Sequence, residues 1–279
     1  MLYRDVIKKL RHIPPPSQPW LVASALEYAE KLVEWNPMCI KNNALYYQFK
    51  TGPSRNDPLL IPDACINILI KCDEKSPSAW VSGIQERAGR IALEPNTLYF
   101  GFKPYALTGM KRLGAAAPEL NNNTVMLSEV LPVGPELDKL SEAGSLDERV
   151  RIFQNYAIAH LVDETYVTSF IEYCAILLCA TGGAIRLDEL EREVGYSGSH
   201  CRGRFKERYG ISIKQYSRSL RLQRAALRTV TDKNADFACI AADSGYFDQA
   251  HFINEFKSLA SMSPYRFRND IMKLLSMKQ

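Results

Sequence analysis

The sequence has few of the arrangements that hold metals or covalent staples. Its seven cysteines (39, 65, 72, 174, 179, 201 and 239) form no CxxC pair, and their number is odd. Most sit among apolar neighbours, as in "ACINILI" and "CAILLCA". Buried thiols in a reducing compartment are the expectation, rather than a disulfide framework or a zinc site. Histidine is also scarce: the four are His12, His160, His200 and His251, with none in the strand-rich stretch near residues 43–104. A metal-dependent barrel enzyme needs clustered imidazoles and a carboxylate, so none is expected. His12 and His160 read as single packing or surface hydrogen-bonding residues. No apolar run reaches the roughly 18 residues of a membrane helix. The opening "MLYRDVIKKLRHIPPPSQPW" has basic residues but no apolar h-region, so no secretory signal is expected. These absences point to a cytoplasmic chain that is not an enzyme and holds no metal or cofactor.

What is present is enough for a substantial core. Over 279 residues, 46% are hydrophobic and 24% charged, a globular composition long enough for about two domains. The net charge is only +4, but it is uneven: residues 180–279 hold 17 Lys and Arg against 11 Asp and Glu. Within residues 197–228, nine basic residues face one acid, Glu207. A solvated helix face usually mixes both signs, so this segment favours a polyanionic partner.

The pattern predicts a helix over residues 19–35, begun by Ser17 or Gln18 and closed before Pro37. Four β-like runs follow, "NALYYQFK", "ACINILIK", "SAWVSGIQ" and "TLYFGFK", separated by turn clusters such as "TGPSRNDP". Ile66, Ile68 and Ile70 alternate as in a half-buried strand, and the set suggests a small barrel or sandwich. From about Pro118 the pattern turns helical. "NNNTVMLSEV" reads as a loop entering a short element, and residues 146–178 carry a 3.6-residue period that suits either intradomain core or a dimer interface. Gly182-Gly183 then breaks the chain, dividing it into residues 1–180 and a helical remainder, 181–279.

Within that remainder, "IAADSGYFDQAHFINEF" (residues 240–256) contains a tight turn between two short helical patterns. Asp236 and Asp248 are placed to cap the two helices, and Gly245 supplies a left-handed turn residue. Phe252 and Phe256 share a face at i,i+4 and point inward. Gln249, Ala250, Ile253 and Asn254 are left on the opposite ridge, where they gain nothing for folding. In a major groove, Gln249 and Asn254 suit adenine edges, while Ala250 and Ile253 suit thymine methyls. This is the geometry of a helix-turn-helix recognition helix. About 50 residues earlier, "RLDELEREVGYSGSHCRGRFKERYG" repeats it. Leu187, Leu190 and Val194 share one helix face, Gly195 makes the turn, and Cys201 and Phe205 point inward. Ser199, Arg202, Gly203 and Lys206 are then outward. The copies keep register: Tyr216 and Phe267 each lie eleven residues after the inward phenylalanine, and Ser212 and Ser263 seven. A basic helix over residues 214–229 joins them.

Residues 181 to about 270 resemble the DNA-binding domain of the AraC/XylS family of bacterial transcription regulators. The motifs are "LDELEREVGYS…RFKERYGIS…Y…R…A…L" and "IAADSGYFDQAHFINEFK…SPYRFR". The chain departs at Ser261, where the family usually has the helix-ending glycine that Gly210 supplies in the first copy. The resemblance places base-reading positions at Ser199, Arg202 and Gly203, and at Gln249, Ala250, Ile253 and Asn254. Arg202 is the candidate for a bidentate guanine contact, whereas Gly203 has no side chain to read with. His200, Arg204, Lys206 and Arg208 flank the first ridge and suit phosphates. Arg218, Arg221 and Arg224 on the joining helix are further phosphate candidates, with Arg224 alternatively bridging to an acid such as Asp243.

The segment from "PDACINILI" to "NNNTVMLSEV" resembles the cupin-like N-terminal domain of some of these regulators, which commonly senses a small molecule or mediates dimerisation. The likeness implies that "FGFKPYAL" is a strand and turn leading to a short helix through Leu113. The expected fold is therefore α+β, a small β-barrel or cupin-like domain with helices followed by an all-α domain with two helix-turn-helix units. Trp80, Tyr99, Phe102 and Tyr105 are candidate ligand-pocket residues, although aromatic stripes at strand spacing more often form core. The expected partners are double-stranded DNA, RNA polymerase and a small-molecule effector, with a homodimer left open. Activation is the expected output, with repression the alternative. Two alternatives stand. The first is control by a protein partner instead of a ligand. A DNA-repair alkyl-transfer protein would need an activated thiolate, whereas Cys201 and Cys239 are expected in helix cores.

Overall fold

The computed structural model describes residues 16–34, 43–55, 57–104, 118–161, 169–232 and 235–278. A short helix, α1 (Pro19–Ser24), precedes eight strands: β1 (Glu27–Glu34), β2 (Asn43–Lys50), β3 (Leu59–Leu60), β4 (Asn67–Cys72), β5 (Ser78–Ser82), β6 (Gly89–Arg90), β7 (Leu98–Pro104) and β8 (Thr124–Met126). Six of them form one antiparallel sheet in the order β1-β2-β7-β4-β5-β8, and β3 pairs with β6.

Every central strand keeps the period of two that the isoleucines announced. Tyr46, Ile68, Ile70, Val81, Phe100 and Phe102 face one side. There α2 (Leu127–Val130), α3 (Glu136–Glu142) and α4 (Leu146–His160) cover them with Leu127, Leu140, Val150 and Phe153. The Phe153 ring lies 6.1 Å from Tyr46, 5.8 Å from Phe100 and 4.8 Å from Phe102. Leu45, Tyr47, Phe49, Leu69 and Tyr99 alternate to the other face.

Two expectations change. The sheet does not close into a barrel: β1 and β8 end it as separate edges, because helices and a strap of chain cover faces that a barrel would turn on itself. The helix expected over residues 19–35 stops at Ser24, and "EYAEKLVE" becomes edge strand β1. Its residues favour a helix locally, but pairing with β2 from Glu27↔Lys50 to Glu34↔Asn43 satisfies a whole row of backbone groups and overrides propensity. The strand of "FGFKPYAL" ends at Pro104. His12, Tyr105 and the expected helix through Leu113 lie outside the described residues.

The remainder is helical: α5 (Phe170–Ala180), α6 (Leu187–Val194), α7 (Gly198–Tyr209), α8 (Ile213–Thr231), α9 (Phe237–Asp243), α10 (Gln249–Ala260) and α11 (Pro264–Ser276). The 3.6-residue stripe over 146–178 divides between α4 and α5, and both use it as intradomain core. Helix α5 lies before Gly182-Gly183, yet its Ile171, Cys174, Leu177 and Leu178 pack with Leu190, Cys201 and Phe205. A boundary at 180/181 therefore cuts through the core of the first helix-turn-helix unit.

Candidate nucleic-acid interface

Helices α6 and α7 form the first unit, and α9 and α10 the second. In each, a polar side chain caps the second helix: Ser197 Oγ accepts from the His200 N–H at 3.4 Å, and Asp248 Oδ1 from the His251 N–H at 2.6 Å. Phe205 and Phe256 are fully buried, as are Cys201 and Phe252, which fixes the phase of both helices. The Phe205 and Tyr216 rings meet edge-on at 5.2 Å and 78°, and Phe256 meets Phe267 at 5.4 Å and 70°. Ser212 and Ser263 cap α8 and α11 by the same bond, to Gln215 N and Arg266 N. The second helix of each unit ends on a left-handed residue, Gly210 at φ 71° and Ser261 at φ 60°. A Cβ in that conformation costs about 1 kcal/mol or more, and Ser261 carries that strain.

With the aromatic rows inside, the opposite ridges meet solvent. Ser199, Arg202, Gly203 and Lys206 are exposed on α7, and Gln249, Ala250 and Asn254 on α10. Ile253 is half-buried and packs against the second-unit core as well. Phe247, just before the Asp248 cap, is 92% exposed, and sequence reasoning missed it. Its equivalent, Tyr196, meets Phe170 at 4.2 Å in a tilted contact and stacks on His200 at 5.3 Å. Phe247 is therefore a large apolar side chain placed beside the base-reading ridge without a ring neighbour among the described residues.

The basic residues divide into those presented outward and those engaged within the fold. His200 is exposed on its aromatic stack, and Arg204 is exposed while paired at 2.5 Å to Glu207. Arg208 leans inward to the buried Glu172, 3.7 Å away. Arg218 and Arg221 do not stand out as phosphate ligands. Their guanidinium groups reach the two oxygens of Glu255 on α10, at 3.1 and 3.0 Å, and mutual neutralisation in a mostly buried site ties the joining helix to the second recognition helix. The acid Asp243 pairs with Arg228, one turn beyond the Arg224 expected there. Cys239 is exposed, contrary to expectation, because α9 turns Ile240 and Ala241 inward. Cys201 is fully buried, and burial pushes its thiol up, away from a reactive thiolate.

Both units are joined to the sheet-bearing part. Ala64 and Ile84 enter the first unit's core. Trp20, Ala23, Leu59 and Ile61 enter the second's. Backbone and side-chain bonds fasten the contact: Ala88 N donates to Leu259 O at 2.7 Å, Gln215 Nε2 to Glu86 O at 3.0 Å, and Asn121 Nδ2 to Tyr209 O at 3.2 Å. Behind this contact, the second face of the sheet lines a cavity of about 450 Å³. Trp80 and Tyr99 line it, whereas Phe102 points to the helix-covered face. Gly101 makes room for it: a Cβ there would lie 2.0 Å from Tyr47 Cζ, so only glycine lets that ring cross the strand.

Residues 190–270 match the helix-turn-helix domain family. An uncharacterised HTH-type transcriptional regulator of Staphylococcus aureus is 31% identical over 87 residues, which is 31% of this chain and 11% of the relative. The Msm operon regulatory protein of Streptococcus mutans is 25% identical over 153 residues, 54% of this chain and 51% of that protein. The chain thus spans between about a tenth and half of the length of these relatives. Among solved structures, the C-terminal domain of the response regulator yesN from Fusobacterium nucleatum is 24% identical over 35% of this chain and 95% of its own, with a TM-score of 0.33. ToxT from Vibrio cholerae is 13% identical over 88% and 97%, with a TM-score of 0.44. Residues 190–270 thus form a domain of the helix-turn-helix class, similar to domains of proteins named as transcriptional regulators.

Proposed function

We propose that the protein lays α7 and α10 in successive major grooves of one DNA duplex. The carrying observation is the repeated geometry, in which buried rows Cys201–Phe205 and Phe252–Phe256 leave matched ridges outside. Ser199 and Arg202 read bases from the first ridge, with Gly203 allowing close approach. Gln249, Ala250, Ile253 and Asn254 read from the second, where hydrogen bonds and methyl contacts distinguish base pairs. His200, Arg204, Lys206 and the outer part of Arg208 hold phosphates, which orient the protein without encoding sequence. Arg218 and Arg221 serve differently: through Glu255 they position α10.

The sheet-bearing part modulates this activity, with a small-molecule effector in its cavity, because that part shares core residues with both units. Bound beside a promoter, such a protein acts on RNA polymerase. Footprinting of the full chain on a selected genomic site tests the reading. Two protected segments about one helical turn apart are expected; protection of a single groove segment per protomer overturns it.

A further inference from the structure

The two helix-turn-helix units are not built alike where their helices cross. Counted from the left-handed glycines Gly195 and Gly245, Glu191 on α6 stands where Ala241 stands on α9. Ala241 is buried and small enough to let α10 approach. Glu191 is long and charged, and the first unit makes room for it on the facing helix. Gly198, the first residue of α7, is buried, and Glu191 is half-buried. A Cβ on Gly198 would overlap the Glu191 carboxylate. Counted from the inward phenylalanines, Gly198 corresponds to Gln249, which opens the second ridge with a side chain. The carboxylate therefore occupies the place of the missing side chain, at the head of the first ridge.

Arg202 borders the same spot. Its Nη1 lies 3.2 Å from the position that Cβ would take, so carboxylate and guanidinium flank one point. Burial pushes the neighbouring Cys201 thiol up; Glu191 pushes it further and Arg202 pulls it back, as opposite charges around one helical turn should. The first turn of α7 also favours an acid, because its N–H groups carry partial positive charge. In the second unit, Ile253 takes the Arg202 position and Ala241 the Glu191 position, so acid and arginine are present together and absent together.

A guanidinium offers five N–H donors, and guanine O6 and N7 take two of them. The others remain for an acceptor behind the fork. Holding a long side chain in place lowers the ordering cost of its base contact. An acid there also opposes capture of the arginine by phosphates, which would hold the protein on any sequence.

We propose that Glu191 is a positioning residue for Arg202: its carboxylate, seated over Gly198, aims the guanidinium at guanine and away from the phosphate backbone. The inference rests on the base-reading proposal above and adds the residue that sets the first unit's specificity.

The full-length protein is tested on its selected site, on that site with the guanine read by Arg202 replaced, and on a scrambled duplex. Glu191→Gln keeps the size of the side chain and removes its charge. It should lower the preference for that guanine by about twofold to fivefold, the worth of one part-exposed charge contact, and tighten binding to the scrambled duplex. Placed in Arg202→Ala, it should change the preference no further. Gly198→Ala should push the flexible carboxylate aside and reproduce the lost preference, with Tm unchanged or raised because alanine suits a helix better than glycine. Tighter binding to every duplex alike would make Glu191 a repulsive charge only. Lost preference at a different base pair would make it a base reader itself. Either result overturns the positioning role. Without DNA, the Arg202 Nε–Hε resonance of isotope-labelled protein should shift in Glu191→Gln, and an unmoved resonance overturns the contact. Absence of any preference in the wild type sinks the base-reading proposal itself. A preference lost in Arg202→Ala but kept in Glu191→Gln sinks the present inference alone.

Discussion

On α8, Arg218 and Arg221 carry charge that the sequence assigned to phosphates, and Glu255 takes it. A list of cations gives their number but not their partners, since Glu255 stands 34 residues from Arg221. Arg202 has a different fate: it is exposed on the α7 ridge. Arg202→Ala should cost about 1–3 kcal/mol on the cognate site and relax specificity at one base pair; binding measured on cognate and scrambled duplexes checks it, with equal loss refuting base reading. Phe247 makes the opposite prediction about salt. Phe247→Ala should weaken DNA binding by about 1.5 kcal/mol, from lost apolar burial, while the slope of affinity against salt stays unchanged because no counterion is released. A salt titration of both proteins reads this directly.

At the scale of elements, caps and periods decided which assignments held. The two helix-turn-helix units were legible because short-range rules specify them: a polar cap, an inward pair at i,i+4 and a left-handed turn. The departure at Ser261 was legible too, and its φ of 60° places it where glycine is favoured. Ser261→Gly should therefore stabilise the protein by about 0.5–1 kcal/mol, the relief of strain less the unfolded chain's added freedom, without changing DNA affinity; denaturant melts and a binding curve measure the two. Strand β1 was not legible. "EYAEKLVE" suits a helix taken alone, and only a partner strand of equal length turns it to sheet.

At the scale of the whole molecule, the cores ignore the apparent domain boundary. The first unit's core takes Ile171, Cys174, Leu177 and Leu178 from α5, and Ala64 and Ile84 from beyond it. A fragment beginning at residue 181 removes α5 and should lose the helical structure of its first unit, whereas one beginning at residue 169 should retain more. Circular dichroism melts of the two fragments beside the full chain test this, and equal stability would show that α5 is dispensable. Gly182-Gly183 is a conspicuous break in composition, but a glycine pair marks a turn in the chain, not the end of a packed core.

The sequence by itself determined the helical phase of both units, the duplicated caps and the alternation of the sheet, because each depends on residues a few positions apart. It could not decide which cations stay outside, whether the sheet closes, or that Ile61 and Ala64 enter two distant cores. Those outcomes depend on groups far apart in the chain competing for the same partners, and only the folded arrangement brings Asp63 to Lys103, Glu255 to Arg218 and Arg221, and Ala64 beside Cys174.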